Sequence, residues 1–263
     1  AELDGQVGLG LMLRKLNMVG SFMMMTAHPD DENNAILAML SHGQGIRTAL
    51  VSATRGDGGQ NEIGAELFDA LAVLRTEELL AAHRFDGAEQ YFTRAVDFGY
   101  SFSIEETFEK WGQEEILGDF VRMIRVLRPD VIVGMRPTGA GGGQHHQASA
   151  LLAQEAFRAA ADATRFSDQL QEGLRPWQAR KFYFNASSPF QARLGPPQGD
   201  DIVAVDTGGY DSLLGRTYAQ IGSEARSMHK CQGMPQLLQV PGQSNKAYYR
   251  LAESTVDHQT ASD

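Results

Sequence analysis

Ser21-Phe22-Met23-Met24-Met25-Thr26 runs directly into Ala27-His28-Pro29-Asp30-Asp31-Glu32. A short apolar run bounded by a polar, proline-stiffened turn reads as a buried strand that delivers charged side chains at its carboxyl end. The three consecutive methionines are most simply strand core. Working outward, residues 33–41 read as a helix with a turn at His42-Gly43, and residues 46–53 as a second strand. Residues 55–64 form a glycine-rich polar loop. Residues 66–84 have helical periodicity, with Leu67, Leu71, Leu74 and Leu79 on or near one stripe.

The alternation continues. Residues 89–93 read as a short strand, 114–127 as a helix ended by Arg128-Pro129, and 130–134 as a strand flanked by breakers. Residues 139–143 are a glycine-rich loop, 146–163 an alanine-rich helix, 181–185 a strand, 189–201 a loop with a Pro-Pro pair, 202–205 a strand and 210–229 a helix. Strands alternating with helices predict an α/β fold, one domain with a mostly parallel sheet and helices on both faces. The domain is expected over 1–252, with a frayed polar tail over 253–263.

A chain of 263 residues suits one large domain. The formal net charge of −10 argues against nonspecific binding to nucleic acid or to an anionic membrane. A single cysteine, Cys231, excludes an intramolecular disulfide. No apolar run is long enough to span a bilayer, and no signal peptide is visible. The first residue, Ala1, is not Met, so localisation is left open between cytoplasm and export, and oligomeric state is left open too.

In open parallel sheets, sites form beyond the carboxyl ends of strands. Three polar segments stand there: 28–32, 55–61 and 136–146. A strand-to-helix turn can aim His28 and Asp31, three positions apart, at one point, and imidazole and carboxylate both suit zinc. Asp30, between them, is free to act as a general base on an activated water. The plain alternative is helix capping by an aspartate. A catalytic zinc has three protein ligands and one open position, and either His145 or His146 can supply the third. The plain alternative there is a solvated loop. No Gly-x-Gly-x-x-Gly fingerprint follows the first strand, which argues against a nucleotide-binding domain.

Residues 27–32 (AHPDDE), Thr54-Arg55-Gly56-Asp57-Gly58-Gly59, Leu74-Arg75-Thr76-Glu77-Glu78, Arg128-Pro129-Asp130-Val131-Ile132 and His146-Gln147-Ala148 together resemble, in order, the PIG-L family, also called LmbE-like deacetylases. The segment 224–233, with Arg226, His229 and Gln232, is similar to a motif of longer bacterial members. The resemblance implies a Rossmann-like fold and zinc-dependent removal of an acetyl group from an N-acetylated sugar or glycoconjugate. It implies His28, Asp31 and His146 as metal ligands, Asp30 as general base, and Arg75 as a residue that contacts substrate or braces the site. Iron or another divalent ion also suits such a set.

The sequence departs from the family at Gly143, where many members carry a histidine three residues before the third ligand. His145 or His229 is the expected substitute as proton donor, with Asp30 itself a third candidate. Arg55 and Asp57 are expected on the substrate side, Asp57 orienting a ligand histidine or bonding sugar hydroxyls. Trp111 and Trp177 read as packing residues before sugar-stacking ones, and His42, His83 and His258 as structural or surface residues. Two rival functions share these residues: a metal-dependent amidase on a non-sugar substrate, and a sugar-binding protein with weakened turnover.

Overall fold

The computed structural model describes residues 4–138, 143–187, 195–240, 242–257 and 261. Residues 139–142 of the glycine-rich loop, 189–194 of the Pro-Pro loop and His258 therefore lie outside the described residues.

β1 (Ser21–Thr26) lies inside a seven-stranded sheet, between β2 (Arg47–Ser52) and β4 (Val131–Gly134), parallel to both. β3 (Glu89–Phe92) extends the sheet beyond β2, and β5 (Lys181–Asn185) extends it beyond β4, again in parallel. Past β5 come β9 (Lys246–Ser254) and then β6 (Ile202–Asp206) at the edge, with β9 antiparallel to each neighbour. A separate hairpin joins β7 (Tyr210–Asp211) to β8 (Arg216–Thr217).

Alternation along β1 sends Met23 and Met25 to one face and Phe22 and Met24 to the other, so the methionine run is strand core on both sides. Met23 and Met25 pack with Ile116, Phe120 and Ile124 of α5 (Gln113–Leu127) and Leu152 and Phe157 of α6 (His145–Ala159). Phe22 and Met24 pack with Ile36 and Leu37 of α2 (Asn34–Ala38) and Leu79 of α3 (Asp69–Asp86). Helices thus cover both faces, as expected of a mostly parallel sheet.

Some elements differ from the sequence reading. Helix α3 begins only at Asp69, so Leu67 precedes it; Leu67 and Leu74 are exposed while Leu71 and Leu79 are buried. The helix expected over 210–229 is the β7–β8 hairpin followed by α8 (Tyr218–Arg226). The helix starts there because Thr217 and Gln220 form a capping box. Helices α1 (Gly5–Leu16), α4 (Ile104–Trp111) and α7 (Ser167–Gln171) and strand β9 were not foreseen. β9 runs through Glu253 and Ser254, two residues into the segment read as a tail, and the Ala261 carbonyl accepts a 2.5 Å bond from the Tyr183 hydroxyl.

Helix α8 crosses α2 closely. A side chain at Gly222 would meet the Ala35 backbone nitrogen at 2.5 Å, so only glycine permits this approach. Beneath the crossing lies a buried polar chain. Asn34 Nδ2 donates to Asp86 Oδ2 (2.9 Å) and to Glu32 Oε1 (3.2 Å), and the His83 ring lies 2.9 Å from both Asp86 Oδ1 and Gln90 Oε1.

Burial works against charge on His83, but Asp86, Glu32 and Gln90 outweigh it and raise its pKa from 6.5 to about 9. A raised folded-state value stabilises the fold fully below about pH 6.5, and that contribution is lost as pH rises through about 9. Denaturant unfolding at pH 6 and pH 9 should therefore differ, with at most roughly 3 kcal/mol traceable to this group. His83→Gln should remove most of the difference. An unchanged pH dependence in that variant would mean that folding does not raise the pKa of His83.

Candidate metal and active site

The chain passes from β1 outward to β2 and β3, then returns to place β4 on the other side of β1. This reversal opens a crevice at the carboxyl ends of β1 and β4. The turn after β1 carries residues 28–32. His145 and His146 open α6 in the connection after β4. The loop after β3 supplies Asp97, and the backbone bond from Gln144 N–H to the Ser101 carbonyl (3.1 Å) ties that loop to the start of α6.

His28, Asp31 and His146 converge. His28 Nδ1 is 3.2 Å from His146 Nε2 and 3.4 Å from Asp31 Oδ2, and His146 Nε2 is 3.2 Å from Asp31 Oδ1. A tetrahedral ion with bonds of about 2.0–2.2 Å separates its donors by roughly 3.3–3.6 Å. The trio therefore fits a divalent metal in donor chemistry and in spacing. Asp31 is further fixed by accepting the His28 backbone N–H at 2.8 Å. Burial opposes its charge, but His146 and His28 outweigh it and hold its carboxyl well below the usual range.

A second trio, His28, Asp97 and His145, shares the other edge of the same imidazole. Here His28 Nε2 and His145 Nδ1 are 2.9 Å apart, a direct hydrogen bond, and Asp97 stands 3.7 Å from each. This spacing suits a support for His28 better than coordination. Asp97 is buried, and Asp57 Oδ2 accepts its backbone N–H at 3.3 Å. The sequence reading missed Asp97, although it follows a strand end like segments 28–32, 55–61 and 136–146.

Asp30 occupies the turn between His28 and Asp31 with φ of 112°, a backbone region that non-glycine residues rarely adopt. Its carboxylate is 3.5 Å from Arg75 Nη2 and partly buried. Burial and the neighbouring Asp31 push that carboxyl up to about 6. Arg75 is buried and bonds the Pro29 carbonyl (2.7 Å) and the Gly56 carbonyl (3.1 Å), so it braces the turn.

The other expected residues fall differently. His145 is buried, wedged against Phe98 and Trp111 with ring centroids 4.4 and 4.9 Å away, and its Nε2 finds no partner among the described residues. Burial, with His28 next to it, pushes its pKa down to about 4. His229 is fully buried behind the turn, 2.5 Å from Glu32 Oε1, and so reaches Glu32 rather than the trio. Arg55 is exposed, stacks over Phe92 at 4.0 Å and bonds Thr76, away from the trio. Asp57 supports Asp97 rather than His28 itself. Trp111 bonds the Val96 carbonyl, and Trp177 bonds the Pro129 carbonyl, so both are packing residues. His42 is structural, bonding the Phe85 carbonyl at 2.8 Å.

The family model described as PIG-L, GlcNAc-PI de-N-acetylase, matches residues 23–157, just over half of the chain. The chain belongs to this family. A 1D-myo-inositol 2-acetamido-2-deoxy-alpha-D-glucopyranoside deacetylase of Streptomyces scabiei is 30% identical over 189 residues, covering 65% of this chain and 57% of that protein. The chain thus spans less than two thirds of that relative. Among solved structures, the N,N'-diacetylchitobiose deacetylase of Pyrococcus horikoshii superposes with a TM-score of 0.60 at 18% identity, over 83% of this chain and 73% of that one. GalB, the 4-carboxy-2-hydroxymuconate hydratase of Pseudomonas putida, superposes at 0.61 with 16% identity, over 92% and 99%. At such identities the likeness is one of fold, and the hydratase shows that this fold serves more than one reaction. No described helix is long and apolar enough to cross a membrane.

Proposed function

We propose that this chain hydrolyses the N-acetyl, or another N-acyl, amide of an amino sugar or glycoconjugate, using a divalent metal, zinc first among candidates. The observation that carries the reading is the His28, Asp31 and His146 trio at coordination spacing, with the Asp30 carboxylate beside it and committed to no ligand position. Membership of a family described by de-N-acetylation supports the reaction class.

His28, Asp31 and His146 would hold the ion. When bound, a divalent ion polarises a carbonyl and acidifies water. Asp30 accepts the proton of the attacking water, then returns it to the leaving amine. His145 and His229 are poor candidates for that second transfer, since each is buried and committed to another side chain. Arg75 holds the Pro29 carbonyl and faces the Asp30 carboxylate, which keeps the base aimed.

With Nδ1 of His28 taken up by the ion, its Nε2 would carry the proton and donate to His145 Nδ1. His145 then fixes the ligand's tautomer, a task often given to a carboxylate. His145→Ala is expected to weaken metal affinity by about 10- to 100-fold, read by competition with a chromophoric chelator. An unchanged affinity would remove His145 from this role.

The function is tested by amine release from a panel of N-acetylglucosamine derivatives, with and without chelator. Chelator-sensitive release supports it. Gly143, which brings no side chain where the family resemblance implies a histidine, favours a second reading as a sugar-binding protein with weakened turnover. Binding without release would favour that one, and release only from non-sugar amides would move the substrate class.

A further inference from the structure

The turn that presents Asp30 is held from a part of the chain nearly two hundred residues away. Both peptide groups of Asp30 are bonded. Its N–H donates to Glu32 Oε2 at 2.9 Å, and its carbonyl accepts from Arg226 Nη1 at 2.9 Å. The preceding carbonyl, of Pro29, accepts from Arg75 (2.7 Å) and from Gln232 Nε2 (3.3 Å). Glu32 is itself held at its other oxygen by His229 (2.5 Å) and Asn34 (3.2 Å).

A non-glycine residue at φ of 112° is strained, and such a conformation persists only where its surroundings over-determine it. Arg226, at the end of α8, and His229, just beyond it, lie outside residues 23–157, so the segment matched by the family does not hold this turn unaided. Helix α8 reaches the turn because Gly222 lets it press onto α2.

We propose that Arg226 and the Glu32–His229 pair are positioning residues. They lock the Asp30 backbone in its strained form and so aim its carboxylate at the crevice. The aim of the carboxylate rests on the hydrolytic reading above; the backbone lock does not.

The test is a double-mutant cycle read by thermal melting of chelator-treated protein, paired with kinetics and metal content of the loaded enzyme. Glycine adopts positive φ freely, so Asp30→Gly should raise the melting temperature by about 2–4 °C. In an Arg226→Met background the turn can relax, and the gain should fall by at least about half. Arg226→Met should lower kcat roughly 10- to 100-fold with KM and bound metal little changed, as expected for a misaimed group. Arg226→Lys, which can still donate to the Asp30 carbonyl, should recover most of the loss.

An equal gain from Asp30→Gly in both backgrounds would overturn the lock. Loss of metal in step with kcat, or no rescue by lysine, would overturn the positioning role. Should Arg226→Met fail to fold, His229→Ala, which removes the ring that holds Glu32, serves in the cycle, with a reduced gain expected and an undiminished one counting against the lock. Absence of turnover in the unmutated protein would instead defeat the proposed function, and the melting cycle would still decide the lock.

Discussion

Asp30→Ala is expected to keep one metal ion per chain and to lower kcat by about 10²–10⁴, the usual contribution of a positioned acid–base group. The separation of the two effects follows from geometry. The trio is closed by distances among His28, Asp31 and His146, none of which involves Asp30. Its carboxylate faces Arg75 at 3.5 Å, and Arg75 is anchored independently through two backbone carbonyls. Elemental analysis and steady-state kinetics on the same preparation check the prediction. Full activity with full metal would remove Asp30 as the base, and loss of metal would make it part of the coordination site.

His28→Ala and Asp31→Asn are expected to lose bound metal and to reduce turnover by about 10³ or more, the scale of several kcal/mol of Lewis-acid stabilisation. His28 is central, because its two ring nitrogens serve two trios at once. Its removal deletes a ligand and also strands His145 and Asp97 without the imidazole between them. Asp31→Asn weakens coordination and the acceptor for the His28 backbone N–H together. Metal-to-protein ratios after dialysis against metal-free buffer give the readout. Stoichiometric metal in both variants would mean that the ion binds elsewhere.

The central strands and the approximate site were legible because their signals are local. Ser21–Thr26 is a short apolar run before a proline-stiffened turn, and its limits in the structure match the reading residue for residue. The same holds for Lys181–Asn185, where polar flanks bound an aromatic run. β9 was not legible, since Lys246–Ser254 mixes charged and aromatic residues and is made a strand by β5 and β6 on its two sides. α4 does carry a local signal: Ser103 accepts the Glu106 N–H at 3.0 Å, and Glu106 accepts the Phe102 N–H at 3.0 Å, a cap written in Ser-x-x-Glu spacing.

For the site, the identity of the clustered residues was readable and their division of labour was not. His145 and His146 are adjacent in sequence, yet helix geometry turns one toward Asp31 and the other into an aromatic wall. His229 bears on the site through its bond to Glu32, a relation across nearly two hundred residues that no local pattern encodes. Arg55 sits in the right motif, but stacking on Phe92 carries it to the exposed side.

The place of β9 also bears on the order in which the protein can be made. β6 must be held at the sheet by a strand that leaves the ribosome later, since about 40 residues separate Asp206 from Lys246. At roughly 5–20 residues per second, β5 waits with a bare hydrogen-bonding edge for several seconds during translation. The nascent chain therefore passes through an interval in which the crevice-forming strands exist but one flank is sticky, and chaperone capture in vivo should concentrate in that window.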